Sequence, residues 1–179
     1  MKKYFIQYKL FLLFLWKFFL TYLVLTIAYK LYLSSICDDC IDGITENVSF
    51  LTVKLSNFTD LNLSVIRDHN QYKIIFQNKV VARIVEGCNS MSVIILFISF
   101  VIAFSGKFKQ TIIFIFVGSA IVYVLNVLRI VLLSVLLFNY PQYEHFLHGV
   151  IFPLIIYGTV FILWVVWINK YSKYASKTY

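Results

Sequence analysis

The sequence predicts an all-α integral membrane protein with about four transmembrane helices and a small, partly β extracytoplasmic loop, and three observations carry that prediction. Hydrophobic residues make up 61% of the 179 positions and aromatic residues 19%, while charged residues reach only 13% and the mean hydropathy is +0.83. A soluble domain carries about a quarter charged residues, so that class is excluded. Four apolar runs follow one another: Leu10 to Leu33, Cys88 to Phe104, Thr111 to Phe138 and His148 to Ile168. Crossing a hydrocarbon layer of ~30 Å takes roughly 20 helical residues, which three of the runs supply and the second barely does. The third observation is where the lysines fall. Lys2, Lys3 and Lys9 precede the first run, Lys107 and Lys109 separate the second from the third, and Lys170, Lys173 and Lys177 follow the fourth. Those three segments share one side of a four-span protein and hold almost no acid, as the positive-inside rule expects of cytoplasmic segments.

Taken in order, residues 1–33 form an N-terminal segment and the first span. This run follows a basic start like a signal peptide, yet it is longer than an h-region needs and no small-x-small cleavage site follows it, so it reads as a retained anchor. Lys17 and Lys30 within it can carry their ammonium groups to the interfaces on long apolar stems. Residues 34–87 form the extracytoplasmic loop, residues 88–168 hold spans two to four, and residues 169–179 form a basic cytoplasmic tail. Both termini are then cytoplasmic, and the turn from Asn139 to Leu147 lies outside with the loop. The net charge of +8 sits in the cytoplasmic segments, while the loop's acids and bases nearly balance; neither a nucleic acid nor another polyanion is implied as a partner.

Within the loop, apolar alternation over Val48 to Leu55, over Tyr72 to Phe76, and over Val80 to Val85 after Gln77-Asn78 predicts short strands with at least one hairpin. About 54 residues with few large apolar positions bury little surface alone, so the loop is expected to pack on the outer ends of the helices. Asn47, Asn57 and Asn62 head three-residue glycosylation patterns that an Asn- and Ser-containing loop produces by chance.

Topology places three reactive side chains at one depth. To reach across the bilayer, span two has to begin at or before Cys88, which sets this thiol in the first helical turn at the outer face, where the positive end of the helix favours thiolate. Gly87 leaves room for a substrate backbone, whereas Glu86 opposes thiolate formation unless it caps the helix or pairs with a cation. Arg129 lies 18 residues into span three, ~27 Å from Thr111, in the outer part of the bilayer. An arginine in a span costs at least ~2.5 to 3.5 kcal/mol on insertion scales and defaults to function. Asn126, three residues earlier on the same face, can hold the guanidinium or a substrate carbonyl. His148 opens span four level with Cys88, and an imidazole can take a proton from a thiol and return it to a leaving amine. His145, one turn earlier, competes for that role. His145-x-x-His148 lacks further ligands at a recognised spacing, so no metal is expected, and Pro153 kinks the last span or marks its true start.

Together these segments resemble a known family. Glu86-Gly-Cys88-Asn-Ser, then Asn126-Val-Leu-Arg129-Ile inside a span, then His148-Gly-Val-Ile-Phe152-Pro-Leu-Ile-Ile-Tyr157-Gly158 at the head of the last span are similar to the exosortase/archaeosortase family, in particular to its short exosortase-F type of bacterial inner membranes. The resemblance covers about Val85 to Lys170. It implies a membrane-embedded cysteine protease or transpeptidase, without cofactor, that processes the C-terminal transmembrane sorting signals of exported proteins. Cys88 would then be the nucleophile, Arg129 the oxyanion stabiliser and His148 the acid/base, with membrane lipid and a companion membrane protein as further partners.

Two other classes compete. Cys37-Asp-Asp-Cys40 on the outer side also suits a thiol oxidoreductase, but that chemistry relays electrons through a second cysteine pair and only Cys88 is left. A structural disulfide between Cys37 and Cys40, with Cys88 free, is the simpler arrangement. A non-enzymatic scaffold accounts for the spans but not for three reactive groups at one depth.

Overall fold

The first apolar run forms helix α1 (Lys9–Ser34), whose large side chains, Phe11, Trp16, Phe19 and Leu31 among them, stay exposed as those of a lipid-facing helix do. This is a computed structural model that describes residues 8–36, 40–104 and 106–171. Helix α2 (Gly43–Phe58) and three strands follow: β1 (Ser64–Asp68), β2 (Gln71–Phe76) and β3 (Lys79–Ile84). Helices α3 (Met91–Ala103), α4 (Phe108–Asn139) and α5 (Phe152–Lys170) complete the chain. The protein is mostly helical, with one small sheet.

Among the described residues, three segments are long and apolar enough to cross a membrane: Phe11–Ser34, Phe108–Asn139 and Pro141–Lys170. The second expected span differs. Its helix, α3, has 13 residues, about 20 Å at 1.5 Å per residue, which is short of the ~30 Å hydrocarbon layer. α3 packs between α1, α4 and α5, and Phe97, Val101, Val122, Val160 and Trp167 fill the space between these helices. Close approach depends on Gly118 of α4: a Cβ there would collide with the Phe97 ring. Gly106 has the same relation to Trp167, whose indole carbons would lie 2.8 Å from an added Cβ.

The loop is where the sequence expectation needs correction. Val48 to Leu55, predicted as a strand, lies inside α2. Asp42 starts this helix, its Oδ1 accepting from the amides of Ile44 and Thr45 at 3.0 Å each, and Glu46 adds a favourable charge in the first turn. The residues that α2 buries, Thr45, Val48, Ser49, Thr52 and Ser56, recur at helical spacing. Most of them are small hydroxyl residues, which a search for apolar periodicity passes over.

The expected hairpin is present. β2 and β3 pair antiparallel around Gln77-Asn78, with Phe76 opposite Lys79, and both turn residues have positive φ, 48° and 62°, as a two-residue hairpin turn needs. β1, which the sequence reading did not include, adds to β2 to give the order β1-β2-β3. Leu63, Ile74 and Ile84 on the inner face join Val48 of α2 and Val127, Ile130 and Val131 of α4 in one core. With 32 residues, about 48 Å, α4 outreaches the hydrocarbon layer. The sheet leans on its last turns, where Phe76 meets Phe138 edge to face at 4.9 Å.

Pro153 marks the start of α5, which begins at Phe152. Proline lacks the N–H that would bond one turn back, and the turn before it, Leu147–Ile151, is π-helical. This turn carries His148. A three-residue 3-10 turn, Pro141–Tyr143, and one helical turn, Glu144–Phe146, connect it to α4.

Candidate active site

Cys88 is the last residue of a 3-10 turn, Glu86–Cys88. Its amide donates to the Val85 carbonyl at 2.8 Å, and the residue after it anchors the turn from below. Asn89 is 2% exposed; its Nδ2 donates to Tyr29 Oη of α1 at 2.7 Å and to Thr45 Oγ1 of α2 at 3.3 Å, and its Oδ1 accepts from the Met91 amide at 3.1 Å. Ser90 takes a left-handed conformation, φ 59°, and breaks the chain direction before α3 starts at Met91. The expectation that Cys88 occupies the first turn of this helix is therefore corrected. A 3-10 turn closed by Asn89 and Ser90 separates the thiol from α3, and the helix-end argument for thiolate does not apply to it.

Asn126 holds the other side of the turn. Its Nδ2 donates to the Cys88 carbonyl at 2.6 Å, and at 1% exposure it is sealed between α4 and the turn. The amide expected to meet a guanidinium or a substrate thus reaches the backbone of Cys88. Cys88 is a half-buried free thiol, whereas Cys40 is disulfide-bonded; Cys37 lies outside the described residues. Glu86 points away, lining a separate cavity of about 270 Å³ with Asp42 and Asn70, and a Cβ on Gly87 would meet nothing within 4 Å.

A cavity of about 590 Å³ opens between β3, the outer turns of α4 and the π-turn. Cys88 and His148, 60 residues apart in sequence, both line it, together with Arg83, Glu144, Leu133 and Leu137. His145 does not, which separates the two histidines. Arg129 stands outside this wall, but on the α4 stripe of Asn126, Leu133 and Leu137, between the residue that bonds Cys88 and those that face the cavity. Its Nε is buried and meets no hydrogen-bond partner among the described residues. A desolvated guanidinium N–H without an acceptor is costly and ready for one that arrives with a ligand. Of the three residues that topology puts at one depth, Cys88 and His148 line this cavity and Arg129 does not.

Two residues of the wall escaped the sequence reading. Arg83 and Glu144 look like ordinary loop charges; only the spacing of Glu144 four residues before His148, one turn along a helix, was a usable signal. Outside the spans, the resolved shift in acidity lies away from the cavity, at Asp68. A hydrogen bond from Lys73, whose Nζ is 2.7 Å from the carboxylate, and another from Gln71 hold this half-buried acid below the usual carboxylate range.

The family model described as transmembrane exosortase (Exosortase_EpsH) matches residues 5–170, nearly the whole chain. The protein belongs to the transmembrane exosortase family. No curated protein and no solved structure matches it significantly. Membership, together with the apolar helices, makes this exosortase a multi-pass membrane protein, and the match extends the resemblance seen around Cys88, Arg129 and His148 through α1, α2 and the sheet.

Proposed function

We propose that this exosortase is a cysteine peptidase and transpeptidase of the bacterial inner membrane that processes C-terminal sorting signals of exported proteins, with Cys88 as nucleophile, His148 as acid/base and Arg129 as oxyanion stabiliser. The observation that carries the reading is the cavity lined by both Cys88 and His148. The positive-inside pattern supports cytoplasmic termini and a cavity on the extracytoplasmic face.

The substrate's C-terminal helix lies in the bilayer beside the bundle and presents a peptide bond at the cavity. His148 takes the thiol proton as the Cys88 sulfur attacks the carbonyl carbon, and the carbonyl electron pair moves onto oxygen. Arg129, whose Nε has no acceptor among the described residues, bonds that oxyanion. On collapse the C–N bond breaks, the amine leaves with the proton from His148, and a thioester remains on Cys88. An incoming amine, or water, then attacks the thioester carbon while His148 takes its proton; the C–S bond breaks, and His148 gives that proton to the departing Cys88 thiolate. Transfer to an amine requires water to be kept from the thioester, a role suited to β3, which roofs the cavity with Arg83 and its neighbours. Asn126 acts as a positioning residue, setting the direction of Cys88 through its carbonyl.

Comparing the C-terminal masses of exported proteins from cells with wild-type and Cys88→Ala enzyme tests the proposal. Signal-bearing precursors are expected to persist in the variant. Identical mass profiles, with the variant present in the membrane, would overturn it.

A further inference from the structure

Helix α2 has three faces. Thr45, Ser49, Thr52 and Ser56 turn toward the protein and are buried. Glu46 and Asn57, eleven residues apart and so on one line of the helix, are exposed on a second face that they share with Phe50 and Val53. Ile44, Leu51, Leu55 and Phe58 form an apolar flank between the two. Leu51 and Leu55 pack half-buried against the core, as the apolar flank of a helix in water does, whereas Phe58 at the end of the flank is 87% exposed.

The flank faces the spans. Leu51, Leu55 and Phe58 line a groove of about 670 Å³ against Tyr123, Val124 and Val127 of α4. Ile44 continues the line into a second apolar groove, of about 430 Å³, with Leu25 of α1 and Ile94 and Ile98 of α3. Depth along α4 says what surrounds the first groove. Counted from Phe108, which Lys107 and Lys109 bracket at the interface, Tyr123 to Val127 stand roughly 23 to 29 Å into a hydrocarbon layer of ~30 Å. The groove therefore opens into the outermost part of the hydrocarbon on the Cys88 side, with α2 forming one of its walls.

We infer that α2 is an interfacial helix seated in the membrane leaflet on the Cys88 side, and that its groove against α4 binds a phospholipid, an acyl chain along Leu51, Leu55 and Phe58 and the phosphate at Lys54 and Asn57. Lys54 and Asn57 are the polar residues of the groove lining. Lys54 lies between the face of Glu46 and Asn57 and the apolar flank, the place from which a lysine stem reaches a phosphate while its methylenes stay in hydrocarbon. A groove of this volume falls in the range of roughly 300 to 1,000 Å³ that holds a small amphiphile, which favours a lipid chain over a whole protein helix. The inference rests on the membrane placement of the family and not on the roles of Cys88, Arg129 and His148.

Nitroxide labels placed singly at positions 46, 51 and 58 of the full-length Cys88→Ser protein, in phosphatidylethanolamine/phosphatidylglycerol vesicles, test it. Collision with oxygen, which concentrates in hydrocarbon, is compared with collision with a water-soluble nickel chelate. Labels at 51 and 58 are expected to favour oxygen and the label at 46 to favour nickel. Positions 51 and 58 report on the same flank, so either can stand if the other variant fails to insert. Nickel in excess at 51 and 58 would make α2 a water-exposed helix, and low collision with both reagents there would make the groove a protein-covered interface; either result overturns the lipid site. Because every variant lacks the proposed nucleophile, the outcome is independent of peptidase activity.

Discussion

Replacing Asn126 with leucine keeps most of the side-chain volume and removes the donor that holds the Cys88 carbonyl. The Nδ2–O distance is 2.6 Å and Asn126 is 1% exposed, so water has little access to take the donor's place. Leaving a buried carbonyl unpaired costs about 1 to 3 kcal/mol. If that energy is spent on holding the Glu86–Cys88 turn in its attacking geometry, a factor of ten for each 1.36 kcal/mol gives a rate loss of roughly 5- to 150-fold. The assay is processing of a co-expressed exported substrate, followed by its C-terminal mass, beside the alkylation rate of Cys88 in membranes and the amount of inserted enzyme. Normal insertion, altered alkylation and slow processing are expected together. Processing within twofold of wild type, with the variant inserted normally, would refute the positioning role, because the hydrogen bond would then contribute nothing that the reaction uses.

Arg129→Lys is expected to insert normally but to lose on the order of 10²-fold in rate, since a lysine keeps the charge without the planar donors that suit an oxyanion, and near-normal processing would show that charge alone suffices. His148→Ala should lower processing by roughly 10²- to 10⁴-fold while His145→Ala leaves it intact; the reverse order in the same mass assay would move the acid/base to His145. Gly118→Ala drives a methyl group into the Phe97 ring and should destabilise the bundle by about 1 to 3 kcal/mol, seen as a lower thermal midpoint in detergent. A second change, Phe97→Leu, should recover part of that loss, and its failure to do so would place the strain elsewhere.

Patterns that repeat locally were legible in the residues themselves. Long apolar runs mean helices in lipid, because an unpaired backbone cannot be solvated there, and α1, α4 and α5 follow them closely. The Gln77-Asn78 hairpin was readable because its residues tolerate positive φ and flank alternating apolar positions. The Cys88, Arg129 and His148 segments could be recognised by their chemical types and order.

Tertiary structure decided what depends on contacts between distant segments. Val48 to Leu55 alternates like a strand, yet the Asp42 cap and a buried face of small hydroxyl residues, Thr45 accepting from Asn89 and Ser56 from the Leu63 amide, make it a helix. The boundary between Cys88 and α3 follows from Asn89, whose partners Tyr29 and Thr45 sit on two other helices, and only their positions make the helix start three residues after the apolar run does. His145 and His148 are chemically alike; the π-turn ahead of Pro153 puts His148 in the cavity wall with Cys88. Asn126 and Arg129 share a stripe of α4, and the turn that lands beside that stripe claims the amide of one, while the Nε of the other has no acceptor among the described residues. Periodicity determines which elements form, since it is a property of neighbours along the chain, whereas the pairing of donors, acceptors and cavity walls is set by which elements come to lie side by side.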